Sequence, residues 1–165
     1  QQMPKDIQWH MIGHVQTNKV KFMASFVNLI HGVDSLKLLA ELNKQAKKCN
    51  RIIDVLLQIH IAEEETKFGF SFEEAQEMLA SPEFFELKNI QIVGVMGMAS
   101  FVDDNAQVEK EFNELHNYFQ LLKSSVFKFN ENFKEISMGM SGDYKIAIEQ
   151  GSTMVRLGST IFGSR

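Results

Sequence analysis

Apolar and polar positions along the chain repeat as one unit, a short apolar run followed by a segment with apolar residues every three or four positions. Trp9-His10-Met11-Ile12-Gly13-His14-Val15 predicts a first strand, and residues 18–25 a short helix able to bury Val20, Phe22 and Met23. A second strand is expected from Phe26 to Val33. Asp34-Ser35 then caps a helix to about Cys49, with Leu36, Leu38, Leu39 and Leu42 turned inward. Residues 52–62 are almost continuously apolar and rich in β-branched side chains, the pattern of a strand buried on both faces. After the charged loop Glu63-Glu64-Glu65-Thr66-Lys67, Ser71-Phe72-Glu73-Glu74 opens a helix in capping-box fashion, reaching about Leu79, and Pro82 starts another turn. Ile90 to Ala99 predicts a fourth strand. Asp103 or Asp104 caps the longest helix, to about Lys123, with Val108, Phe112, Leu115, Phe119 and Leu122 on its apolar stripe. Beyond the polar stretch 128–134, a fifth strand ends in Met138-Gly139-Met140-Ser141-Gly142, and a short helix runs from about Asp143 to Gln150. The last strand spans Thr153 to Leu157, breaks at Gly158-Ser159-Thr160 and resumes as Ile161-Phe162-Gly163.

Six strands alternating with five helices define an α/β chain with a parallel sheet and crossover helices. Two architectures satisfy that pattern: an open doubly wound sheet, or a (β/α)8 TIM-type barrel short of two units. Small and polar residues fall at the strand C-terminal ends (His14, Asp34-Ser35, His60, Ser100, Ser141, Gly158-Ser159), where both architectures place their sites. A barrel spans about 250 residues, from roughly 200 upward. The chain has 165 residues and opens on Gln1, which reads as a start within a barrel rather than at its beginning.

The two last strand ends carry the chemistry. Rich in Gly and Ser, they offer backbone N–H groups and hydroxyls with little side-chain bulk, and a phosphate suits such a cradle. Ser141, Gly158 and Ser159 are its candidate residues, with Met140 beside them. Arg156 stands two residues before Gly158 on the same strand face, among Met154, Val155 and Leu157, and an inward guanidinium there requires a partner.

Composition narrows the remaining classes. A net charge of −4 without a basic stripe argues against a nucleic-acid surface; Lys44, Lys47, Lys48 and Arg51 cluster at a helix end, where cations complement the helix dipole. One cysteine, Cys49, permits neither a disulfide framework nor a thiolate metal cluster within the chain, and the reducing cytoplasm is the expected location. No stretch approaches the ~20 apolar residues of a membrane span. His10 and His14 share a strand face but lack a third ligand at metal spacing, so no metal is assigned. Ser141 in Met-Ser-Gly is not a GxSxG elbow.

Trp9-His10-Met11-Ile12-Gly13-His14-Val15-Gln16-Thr17-Asn18-Lys19 resembles the WHxIGxLQxNK signature of the pyridoxal phosphate homeostasis protein family, the YggS/PROSC type. The resemblance continues through His31-Gly32-Val33-Asp34-Ser35, Thr66-Lys67-Phe68-Gly69-Phe70, Gly94-Val95-Met96-Gly97-Met98-Ala99 and Ser137-Met138-Gly139-Met140-Ser141-Gly142-Asp143. It ends in Val155-Arg156-Leu157-Gly158-Ser159-Thr160-Ile161-Phe162-Gly163. It implies a single-domain barrel similar to the N-terminal domain of alanine racemase, in which residues 1–165 supply strands three to eight and lack the first two. It further implies that pyridoxal 5'-phosphate binds with Ser141, Gly158 and Ser159 on the phosphate and Arg156 at the pyridine nitrogen. The Schiff-base lysine of the family belongs to the first strand; Lys19, Lys21, Lys67 and Lys145 fall on helices or loops instead. The function implied is intracellular cofactor homeostasis without established catalysis. A pyridoxal-phosphate enzyme such as an amino-acid racemase is the alternative. The complete protein is expected to be a monomer, and a chain with two open sheet edges to self-associate, to pair with the missing segment as a separate piece, or to rearrange locally.

Overall fold

Six strands, β1 (Trp9–Met11), β2 (Val27–Val33), β3 (Ile53–Gln58), β4 (Ile90–Met96), β5 (Glu135–Met140) and β6 (Met154–Arg156), form one parallel sheet in strict sequence order. The computed structural model describes residues 4, 6–63 and 68–163. A sheet that gains each new strand on the same side has no point where its order reverses. That excludes the doubly wound alternative and leaves a half-barrel progression, with β1 and β6 at its edges.

Local chemistry sets the helices. A 3-10 turn (Thr17–Lys19) leads into α1 (Val20–Met23). Helix α2 (Leu36–Lys48) starts where Ser35 Oγ accepts the Leu38 N–H, and ends with Lys47 and Lys48 on its negative pole. Asp34 does not cap it. Arg51 bridges the turn below, donating to the Ala24 and Val27 carbonyls at 2.8 Å each. The predicted capping box forms at α3 (Phe72–Ala80): Glu74 N–H donates to Ser71 Oγ at 3.1 Å, and Ser71 N–H to Glu74 Oε2 at 2.8 Å. Pro82 opens α4 (Pro82–Phe85), so the β3–β4 crossover carries two helices rather than one. Asp104, of the two aspartates considered, caps α5 (Asn105–Ser124). Helices α6 (Tyr144–Glu149) and α7 (Ser159–Phe162) follow β5 and β6.

Alternate strand residues build two different layers. Ile30, Ile53, Val55, Leu57, Ile92, Val95, Ile136 and Met138 pack with Leu38, Leu39, Leu42, Phe112, Leu115 and Phe119 of the helices into one continuous core. Leu29, Leu56, Val93 and Met96, with Met98 and Met154 against them, form a second, smaller cluster on the concave side. Two glycines permit this packing. A Cβ at Gly94 would collide with the Glu135 backbone of the neighbouring strand. Gly139 (φ +91°) sits where a Cβ would press on Ala147, which brings α6 down onto β5.

The structure corrects several boundaries. β1 stops at Met11 instead of Val15, because Gly13 takes φ +88° and turns the chain away. β3 ends at Gln58 rather than Ala62, with only an isolated Ile59–Phe70 bridge beyond it, and β4 at Met96 rather than Ala99. Ile161-Phe162-Gly163 is not a resumed strand. The Ile161 and Phe162 N–H groups both fold back on Gly158 O, which makes α7 a single helical turn. Most of the charged loop, Glu64 to Lys67, lies outside the described residues. Among the described residues, no helix is long and apolar enough to cross a membrane.

Candidate functional site

The parallel pairing of β5 with β6 places their C-terminal ends side by side, and the loops beyond them enclose a cavity of about 540 Å³. Met140, Ser141, Arg156, Gly158 and Ser159, the five residues singled out from the sequence, all line it. Its far wall comes from the β4–α5 connection, Ser100 to Asp103, and from Asn105 and Val108 at the start of α5. Met138 is not part of the lining. It faces the helices, fully buried in the main core.

Ser141 Oγ accepts the N–H groups of Gly158 and Thr160, both at 3.3 Å. The two strand ends are thereby tied together at the rim, with the serine oxygen holding two backbone donors in register. With both donors on its lone pairs, the Ser141 hydroxyl proton is left to point elsewhere. Gly158 has φ −118°, a conformation open to any residue, and a Cβ there would meet nothing within 4 Å; the same space surrounds Gly142. Neither backbone strain nor packing accounts for glycine at 158. The open rim beside Gly158 and the free Ser141 hydroxyl proton leave space and a donor, so the residues present fit a phosphate-bearing group.

Arg156 finds the partner its setting demanded. Nη1 donates to Ser137 Oγ at 2.9 Å and Nη2 to the Gly97 carbonyl at 3.1 Å. Burial pulls the guanidinium down to about 10, with the Asp143 carboxylate acting against the shift, and it stays charged at neutral pH. Asp143 itself accepts the Met140 N–H and also faces the cavity. The wall opposite is tied by a buried carboxylate: Glu111 accepts Ser100 N–H at 2.6 Å and Ser100 Oγ–H at 2.7 Å, while Ser100 Oγ accepts Glu63 N–H at 3.2 Å. Glu111 thereby holds the β4–α5 connection to the loop after β3.

The histidines separate. His10 and His14 do not share a ligand site: His10 Nδ1 approaches His31 Nε2 at 3.2 Å on the concave face, and His14 pairs with Asp34 at 3.2 Å under a stacked Phe68 ring. No group of three metal-ligating side chains occurs among the described residues. Lys19, Lys21 and Lys145 are exposed and none lines the cavity; Lys67 lies outside the described residues. Sequence reasoning missed Ser137 and Gly97 as partners of Arg156, and His31 as the partner of Ser137 behind it. The available signal was their polarity or smallness inside strands otherwise made of large apolar residues.

A parallel α/β half-barrel with a Gly- and Ser-lined cavity at the rim of its last two strands is the class that fold and site define. The family model described as the alanine racemase N-terminal domain matches residues 2–165. A pyridoxal phosphate homeostasis protein from Aquifex aeolicus is 37% identical over 160 residues, covering 97% of this chain and 68% of that protein. The human protein of the same name is 37% identical over 168 residues, covering 97% and 59%. The structure is similar to PipY of Synechococcus elongatus solved without pyridoxal phosphate (TM-score 0.86, 28% identity, 96% of this chain and 72% of that one). It is likewise similar to PipY with pyridoxal phosphate bound (TM-score 0.83, 28% identity, 96% and 71%). The chain belongs to the pyridoxal phosphate homeostasis proteins within the alanine racemase N-terminal domain family.

Proposed function

We propose that the chain binds pyridoxal 5'-phosphate at the β5–β6 rim and serves intracellular cofactor homeostasis. The observation that carries this reading is the convergence of Met140, Ser141, Arg156, Gly158 and Ser159 on one cavity, with open space beside Gly158. The Ser141 hydroxyl proton and the N–H and hydroxyl of Ser159 take the phosphate, beside the Gly158 and Thr160 amides that Ser141 Oγ holds, and Met140 packs next to it. Arg156 meets the ring nitrogen. A guanidinium only donates, so it disfavours a proton on that nitrogen. When bound, the cofactor supplies a reactive aldehyde; the arginine leaves its ring a weaker electron sink, which suits a carrier. The six βα units correspond to the third to eighth of a (β/α)8 barrel, forming one domain over residues 1–165, and the covalent lysine anchor belongs to the first.

The racemase reading has less behind it. A two-sided proton transfer requires an acid/base group on each side of the ring, and among the described residues the cavity lining holds Asp103, Asp143 and Arg156 as its only ionisable groups. Equilibrium dialysis with pyridoxal 5'-phosphate, with inorganic phosphate as competitor, tests the proposal. Saturable binding relieved by phosphate is expected, and borohydride should trap no single lysine. Binding that phosphate leaves untouched, or specific trapping at Lys145, would contradict the site. Racemisation of alanine or serine by the chain would overturn the carrier role.

A further inference from the structure

A line of hydrogen bonds starts at the cavity wall, at Arg156, and crosses the concave side of the sheet. It runs from Arg156 Nη1 to Ser137 Oγ (2.9 Å), from Ser137 Oγ to His31 Nδ1 (2.8 Å) and from His31 Nε2 to His10 Nδ1 (3.2 Å), linking β6, β5, β2 and β1. Ser137 is 0% exposed and His31 1%. The bond between them spans the lumen, since β5 and β2 are not neighbours in the sheet.

Chemistry fixes the direction of this line. A guanidinium has no acceptor, so Ser137 Oγ must accept from Arg156. The serine proton then goes to its other side-chain partner, His31 Nδ1. His31 is thereby neutral with its own proton on Nε2, which it donates to His10 Nδ1. Reversing the line would leave the Ser137 hydroxyl proton buried without an acceptor, a cost that native interiors avoid. Burial opposes a second proton on His31, and the nearby His10 and Arg156 act in the same sense. Gly97 O takes Nη2, so a hydroxyl and a carbonyl together fix the guanidinium plane, and its remaining N–H groups are left for the cavity that Arg156 lines.

We infer that Ser137 and His31 are positioning residues: they hold Arg156 for recognition of an aromatic nitrogen ring carried on a phosphate ester, and a bare phosphate makes no use of them. The inference rests on the cofactor reading above and assigns ring selectivity to residues that do not line the cavity. It is tested by titrating this chain with inorganic phosphate and with 4'-deoxypyridoxine 5'-phosphate, a probe that has ring and phosphate but no aldehyde. The two titrations are repeated on Ser137→Ala and Ser137→Thr, and histidine 15N spectra are recorded alongside. The wild type should prefer the ring-bearing probe. Ser137→Ala should lose roughly tenfold of that preference, the size of one hydrogen bond to a charged group, with inorganic phosphate affinity unchanged. Ser137→Thr, which keeps the hydroxyl, should restore most of it. The wild-type spectra should show His31 as the Nε2–H tautomer at neutral pH, an observation that needs no variant to fold. An unchanged preference in Ser137→Ala, or an Nδ1–H tautomer in the wild type, overturns the inference. Phosphate binding without ring preference in the wild type overturns it and leaves the cradle standing, whereas no binding of either compound overturns the cofactor reading as well.

Discussion

The helix-covered face of the sheet and its concave face are built from alternate residues of the same six strands, yet they follow different rules. On the covered face Ile30, Ile53, Val55, Leu57, Ile92, Val95 and Ile136 meet helices that are apolar in turn, and the core there is continuous. The concave face mixes Leu29, Leu56, Val93 and Met96 with His31, Gln58, Ser137 and Arg156, each of the polar groups hydrogen-bonded. The first face holds the chain together through non-directional burial. The second spends part of that burial on directed hydrogen bonds, which contribute little net stability but fix where a charge sits. Stability and recognition are thus divided between two sides of one layer, and each side should respond to substitution in its own way.

The largest effect is expected on the covered face. Phe112→Ala removes a fully buried ring between α5 and the sheet and should cost about 3–5 kcal/mol in urea unfolding. A comparable loss from Ser137→Ala would blur the division. At the rim, Gly158→Val should leave stability within about 0.5 kcal/mol, since its Cβ has free space and an ordinary backbone conformation. The same change should weaken pyridoxal 5'-phosphate and inorganic phosphate binding at least roughly tenfold, or 1.4 kcal/mol, by calorimetric titration. Unaltered affinity would mean that the space beside Gly158 is not the ligand's.

A pH effect separates the faces further. His31 is pushed down from 6.5 to about 4 by burial, then by His10 and Arg156. Between those values the unfolded chain binds more protons at this residue than the folded one, so its contribution to stability is lost as pH falls from about 6.5 to about 4 and is level below that. Replacing it, His31→Gln, should flatten the stability–pH slope in that window by up to one proton, about 1.4 kcal/mol per pH unit. An identical slope in both proteins would place the titrating group elsewhere. The smallest expected effect is Ser71→Ala, which removes the α3 capping box at a cost of about 1 kcal/mol and should leave ligand binding as it was.

The covered face was legible in the sequence because burial against helices imposes a period. The stripe of Val108, Phe112, Leu115, Phe119 and Leu122 and the run from residue 52 gave the layer and its strands, and the small residues at strand ends gave the rim. Sequence order alone did not separate a doubly wound sheet from a barrel, since both alternate strand and helix; the strand order in space did. Helix α7 was misread as strand because Ile161 and Phe162 look alike in either state. The turn is decided by two hydrogen bonds to Gly158 O that no residue type announces. The concave network was hidden for another reason. Ser137 and His31 meet across the lumen from positions 106 residues apart, and nothing local in either strand encodes the other.

The central claim is that the β6–α7 junction, Gly158 to Thr160, is where the cofactor's phosphate sits. Amide chemical-shift mapping of the 15N-labelled chain during a pyridoxal 5'-phosphate titration tests it most directly. The account predicts that Gly158, Ser159 and Thr160 show the largest shifts, saturate together and move in the same direction with inorganic phosphate. Saturation with the largest shifts at another part of the molecule, or no saturable change at these three residues, would contradict it.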